Sequence, residues 1–141
     1  MLKKYFVLMM ISLLTASALS ASTPKNPPFL ILGKIPHYVG MLKDNWDNEK
    51  LSLNEKQKEQ LLKVRKNTIK TVMGLKKRLA ALEQEVADKA LSGSTPQELE
   101  EKLKVIAKYK VKASMAHLNC TYKTQEILSK EQLATLNELS K

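Results

Sequence analysis

The sequence predicts an all-α protein: a long antiparallel helical hairpin with short flanking helices. Three observations predict it. Prolines crowd the start of the chain, at Pro24, Pro27, Pro28 and Pro36, and only Pro96 follows. Residues 37–95 and 97–141 are therefore free of the residue that lacks a backbone N–H and breaks helix interiors. Val72, Leu75, Leu79, Leu82 and Val86 recur in alternating steps of three and four, the spacing of a helix-packing seam. Between the two stretches lies Ser92-Gly93-Ser94-Thr95-Pro96, which carries the signals to stop one helix and start another.

At the N-terminus, Lys3 and Lys4 precede an apolar run from Phe6 to Leu14, followed by the small residues Thr15, Ala16, Ser17, Ala18, Ser20 and Ala21. This order predicts a secretory signal peptide over residues 1–21, with cleavage after Ala18 or after Ser20. The apolar run falls short of the roughly 20 residues that span a bilayer. An uncleaved N-terminal anchor is the alternative. No cysteine stands at the cleavage region, so nothing supports a lipoprotein anchor. Residues 22–50 form an N-terminal arm. Its first part, 22–36, is expected to be extended and partly flexible. His37 to Trp46 is a candidate short helix carrying Tyr38, Val39, Met41 and Leu42, weakened by Gly40.

Residues 51–141 form the hairpin domain. The first long helix is expected from about Glu55 to Leu91, with Leu61, Val64 and Ile69 extending its apolar surface towards the N-terminus. Gly93 suits the residue after a helix end. Thr95 is a good N-cap, Pro96 fits the first helical position, and Glu98 completes a capping box. The second long helix then runs from Pro96 to about Ile127, with Leu99, Leu103, Ile106 and Ala113 on its inner face. A short helix follows Ser129, with Leu133, Leu136 and Leu139 inside. A two-helix layer buries little surface, so a dimer is expected. The alternative is a monomeric bundle onto which the N-terminal arm folds back.

Two helix starts share one pattern: Leu53-Asn54-Glu55-Lys56-Gln57 and Leu128-Ser129-Lys130-Glu131-Gln132. In each, Asn54 or Ser129 caps the backbone N–H three residues on, and Gln57 or Gln132 reaches back to the cap residue's own N–H. Leu128 and Leu133 add a hydrophobic staple in the second copy, where the first has Lys58. The pattern resembles the LTxxQ repeat of the periplasmic Spy/CpxP family. The stretch Lys112-Ala113-Ser114-Met115-Ala116-His117, continuing to Ile127-Leu128-Ser129-Lys130-Glu131-Gln132, is similar to Spy-like members before and across their second motif. The resemblance covers most of residues 37–141. Asn54 and Ser129 stand where the family prefers threonine, and both remain competent caps.

The resemblance implies a cradle-like antiparallel dimer of thin, bent hairpins. It implies a periplasmic chaperone that holds unfolded or misfolded envelope proteins without ATP on a basic face. CpxP-like members also restrain the periplasmic domain of a sensor kinase, and relatives such as ZraP and CnrX handle metals. An envelope-stress regulator or metal-responsive protein is thus the alternative function.

The charge pattern is compatible with acidic clients. The chain carries a net +10, or +8 once Lys3 and Lys4 leave with the signal peptide. No acid interrupts Gln60 to Leu82, which holds Lys63, Arg65, Lys66, Lys70, Lys76, Lys77 and Arg78, nor Lys102 to Gln125, which includes Lys104, Lys108 and Lys112. A hairpin closed at Gly93–Ser94 lays these blocks side by side, with Glu83, Glu85, Asp88, Glu98, Glu100 and Glu101 towards its tip. Such a surface attracts acidic, partly unfolded chains. A solvated surface is the bland alternative, and acidic tips docking on basic bodies across a dimer is a further one. Nucleic acid is not expected as a partner, given the export signal. Stable membrane insertion is not expected either, because the apolar residues form a packing seam.

His117 and Cys120 lie three apart on a helix, share a face, and are the metal-ligand candidates. Two ligands do not complete a site, and a buried cysteine beside a packed histidine is the bland reading. No cofactor is expected. The chain has two histidines, no HExxH, no glycine-rich phosphate loop and no nucleophile–base pairing, so no enzyme is expected.

Overall fold

The computed structural model describes residues 27–31 and 33–139. The expected signal peptide, 1–21, lies outside the described residues, as do residues 22–26 of the arm. Four helices follow one another: α1 Tyr38–Asp44, α2 Glu55–Leu91, α3 Pro96–Ile127 and α4 Lys130–Leu139. The first helix is shorter than the His37–Trp46 expected, and no side chain caps it at His37. The two long helices have the expected bounds because both carry strong local signals. They pack as an antiparallel hairpin of 37 and 32 residues. At 1.5 Å per residue the arms are about 55 and 48 Å long.

The turn between α2 and α3 uses each residue of the break. Gly93 adopts φ +94, the left-handed region. Its N–H donates to the Ala90 carbonyl at 3.2 Å, and the Ser94 N–H donates to the Lys89 carbonyl at 3.0 Å. That pair of bonds satisfies carbonyls the helix would otherwise leave open. Thr95 then caps α3: its hydroxyl accepts from the Glu98 N–H at 3.4 Å, and its own N–H donates to the Glu98 carboxylate at 2.7 Å.

The core is concentrated at the open end of the hairpin. Tyr38 and Leu42 of α1, Leu51, Leu61 of α2, Leu128 and Leu136 of α4 form one buried cluster, edged by Met41, Trp46, Leu53, Ile127 and Leu133. Towards the tip only one seam remains. Leu79, Leu99, Ile106 and Ala113 are buried, and Val72, Leu75, Leu82 and Val86 are half-buried. Leu103 is not on the inner face as expected; it is 50% exposed. The seam on α3 steps by seven from Leu99 to Ile106, Ala113 and Cys120, and a single facing helix covers no wider stripe. Ile69, also 41% exposed, lies to the side of the corresponding stripe on α2.

Candidate functional site

The two capping boxes form a single structure. Gln57 Oε1 accepts from the Asn54 N–H at 3.1 Å, and Gln132 Oε1 accepts from the Ser129 N–H at 3.0 Å. Each cap returns the bond: the Gln57 N–H donates to Asn54 Oδ1, and the Gln132 N–H donates to Ser129 Oγ. The two amides also meet. Gln57 Nε2 donates to Gln132 Oε1 at 2.7 Å and to the Ile127 carbonyl at 3.0 Å. Gln132 Nε2 lies 3.2 Å from Gln57 Oε1 and donates to the carbonyls of Leu51 at 3.0 Å and Ser52 at 3.3 Å. Ile127 and Ser52 each precede their cap by two residues, so the clasp has an approximate two-fold symmetry. Ser52 holds φ +44, a costly conformation for a residue with a Cβ. That conformation is found where its carbonyl and that of Leu51 face Gln132. Leu53 and Leu128 pack in the adjoining cluster. The clasp is architectural: it joins the starts of α2 and α4, and no catalytic group lies in it.

The hairpin has two unlike broad faces. The arm and α1 lie across one of them. The Leu30 N–H donates to Ser114 Oγ at 2.8 Å, and the rings of Phe29 and His37 lie 5.2 and 5.1 Å from that of His117. Arg65, Ile69 and Met73 of α2 are on this side, lining cavities shared with α1. The opposite face is open and polar. A groove of about 620 Å3 runs between Lys56, Gln60 and Lys63 on α2 and Lys123 and Glu126 on α3. A smaller one, of about 200 Å3, continues past Asn67 and Thr71 to Asn119.

The ten basic residues expected to hold a client do not share one face. A helix turns 100° per residue, so a linear block of lysines spreads around its circumference. Lys63 lines the open groove. Arg78, fourteen residues on from Val64, and Lys112, seven before Asn119, fall on the same side by helical spacing. Lys70 and Lys77 follow Lys63 along an edge in steps of seven. Arg65, with Lys76 near it on the wheel, belongs to the arm side, and Lys66 falls on the outer edge with Lys70 and Lys77. Lys104 is held by Glu100 at 2.9 Å and Glu101 at 2.8 Å, and Lys63 by Glu59 at 2.8 Å. Among the described residues Lys66, Lys70, Lys76, Lys77, Arg78, Lys108 and Lys112 enter no ion pair, although Lys112 Nζ lies 6.0 Å from the centre of the Tyr109 ring. The acids near the tip are partly engaged within the chain: Glu83 with Lys110 and Glu85 with Lys102, both at 2.8 Å.

A second feature went unread in the sequence. Val111, Met115, Leu118 and Tyr122 are 47, 58, 38 and 59% exposed. Their spacing of four, three and four places them on one stripe along the outside of α3, away from the seam. Lys104 and Lys108 continue the stripe towards the tip, seven residues before Val111 and Met115. The signal was present in the periodicity, but the buried seam on the same helix has a similar period and absorbed it.

His117 and Cys120 are both buried. Burial holds the His117 imidazole below its ordinary pKa; a charge on His37 acts in the same direction, and the Pro36 carbonyl partly opposes them. His117 Nε2 has no hydrogen-bond partner. Burial pushes the Cys120 thiol up, offset in part by the Thr68 and Thr124 hydroxyls against it. Among the described residues no three His, Cys, Asp or Glu side chains converge as a metal site. No described helix is long and apolar enough to cross a membrane. Comparison with protein-family models, with curated proteins and with solved structures finds no match to this chain.

Proposed function

We propose that this chain is a periplasmic, ATP-independent chaperone of the Spy/CpxP type, working as a homodimer on unfolded or misfolded envelope proteins. The observation that carries the reading is the exposed apolar stripe Val111–Met115–Leu118–Tyr122 on a hairpin of net positive charge. A contiguous apolar surface on a soluble helix is a place for a partner. Methionine adapts its shape to many partners, and the neighbouring Lys104, Lys108 and Lys112 attract acidic chains while their stems add apolar contact. The sequence resemblance at Leu53-Asn54-x-x-Gln57 and Leu128-Ser129-x-x-Gln132 points the same way.

Aggregation of an unfolding client, followed by light scattering without nucleotide, tests the proposal. Residues 22–141 should suppress it at stoichiometric amounts, and high salt should slow capture. Met115→Asp with Leu118→Asp should abolish suppression while leaving the helical content intact. Full suppression by that variant would overturn the assignment of the stripe. No suppression by the unaltered chain would overturn the chaperone reading. Sedimentation of both forms shows whether the same stripe also holds the dimer.

A metal-responsive role is the second reading. It is favoured by the unpartnered His117 Nε2 beside His37. Titration of the mature chain with zinc, copper(I) and nickel, compared with His117→Ala and Cys120→Ser, tests it; absence of stoichiometric binding ends it.

A further inference from the structure

A cavity between α1 and the base of the hairpin has walls that packing alone does not explain. It measures about 200 Å3, and its apolar lining is Val39, Leu42, Trp46, Leu61 and Leu62. Arg65, Lys43 and Thr124 complete it, and no carboxylate lines it. Arg65 is partly buried, and its Nε is sealed from solvent with no hydrogen-bond partner. Its guanidinium enters no ion pair among the described residues. Thr124 is 1% exposed, and its hydroxyl lies against the Cys120 thiol. Buried polar atoms are almost always paired, and a sealed donor left without a partner is costly. A sealed guanidinium N–H without a partner on a small, acid-free cavity calls for a ligand that brings an acceptor.

We propose that this cavity binds a small monocarboxylate with a short apolar body. The carboxylate pairs with the Arg65 guanidinium, which presents planar donors matched to it. Lys43 at the rim adds a second positive charge, and the Thr124 hydroxyl supplies a further donor. The apolar body lies against Trp46, Leu62 and Val39. Size sets the class: an aliphatic cavity of about 150 Å3 holds benzene, so this one takes a body of that scale rather than a whole lipid. The inference does not rest on client binding along α3, which uses other residues.

Trp46 is the one tryptophan of the chain and lines the cavity, so it reports occupancy directly. Octanoate titrated into the full mature chain below its micellar concentration should change Trp46 fluorescence in a saturable way. Octanol and octylamine, of equal apolar length, should bind more weakly by tenfold or more. Arg65→Met should lower octanoate affinity by about tenfold to a hundredfold, the loss expected for one charge-assisted contact, while circular dichroism shows the helices intact. Arg65→Lys should fall between them. A merely structural Arg65 would leave the preference for octanoate over octanol unchanged in Arg65→Met. The proposal is overturned by the absence of a saturable response, or by equal binding of octanoate and octanol to the unaltered chain. The comparison of octanoate with octylamine on the unaltered chain decides the matter even where Arg65→Met fails to fold.

Discussion

The two ends of the hairpin are held by different physics. At the base, segments far apart in sequence meet. Leu51 and Leu136 are fully buried there, and the amides of Gln57 and Gln132, 75 residues apart, bond each other and the carbonyls of Ile127 and Leu51. At the tip only α2 and α3 are present. Their seam is a narrow stripe, Leu91 is 88% exposed, and the ion pairs Glu83–Lys110 and Glu85–Lys102 link the two helices. The difference teaches that the base is cooperative and non-local, whereas the tip is a sum of local signals: a glycine stop, a capping box and a few charges. Local opening is therefore expected to begin at the tip, and hydrogen exchange should be slowest in α2 and α3 nearest the clasp.

Core truncation gives the largest contrast. Leu136→Ala, in the closed cluster, should destabilise by about 3–4 kcal/mol, whereas Leu99→Ala beside the solvent-exposed turn should lose about 2 kcal/mol. Chemical denaturation measures both. Equal losses would mean that the tip is as tightly packed as the base.

The clasp comes next. Gln132→Leu leaves the Ser129 N–H, the Leu51 carbonyl and the Gln57 amide short of partners, at a cost of about 2–3 kcal/mol. Adding Gln57→Leu should cost far less than the sum of the single changes, because either one breaks the shared contact; a coupling of about 1–2 kcal/mol is expected. Additive losses would show that the two capping boxes act separately.

Much of this architecture was legible in the sequence, and the boundary of legibility is physical. The bounds of α2 and α3 were readable because caps act within four residues: Asn54 with Gln57, Thr95 with Glu98, and Gly93 against Ala90. The clasp was half-legible. Each capping box was visible, but a bond between glutamines 75 residues apart has no local signature. Leu103 falls off the inner face because apolar character at a compatible spacing does not say how wide a stripe the facing helix covers. The basic residues form linear blocks in the sequence, and the helical turn distributes those blocks over two faces and an edge. Arg65 is among the expected basic residues, but nothing in its neighbours in sequence shows that its Nε is sealed without a partner.

A smaller effect probes the body between the two ends. Gly74 lies within α2, and a Cβ there meets nothing within 4 Å. Gly74→Ala should stabilise the protein by about 1 kcal/mol through helix propensity alone. It should slow exchange in the middle of α2 without altering the clasp. The pH dependence of the base is a further probe. His117 titrates below the ordinary imidazole pKa of about 6.5, so the unfolded chain binds more protons as pH falls through that range. Stability should therefore decline below about pH 6.5 and level off once pH passes the folded value. His37 is the other titratable group against that ring, and His117→Gln should flatten this limb of the melting profile.

The smallest expected effect separates charge from packing at the tip. A hydrogen bond from Lys102 holds the Glu85 carboxyl below its ordinary value, against the opposing effect of burial, with Lys89 adding to it. The contribution of a carboxylate with a lowered pKa is present above the ordinary carboxylate range, near about pH 4.3, and is lost as pH falls below it. Glu85→Gln should therefore change the melting temperature slightly at neutral pH, and the change should fade as the pH falls through and below that range. Exposed pairs are also screened, so the difference should vanish in about 1 M salt. Leu136→Ala should keep its full effect under both conditions, because burial of a leucine depends on neither protons nor counterions. An effect of Glu85→Gln that survives acid and salt would show that the Glu85–Lys102 contact acts through packing of its aliphatic stems, and would make the tip more like the base than its single seam indicates.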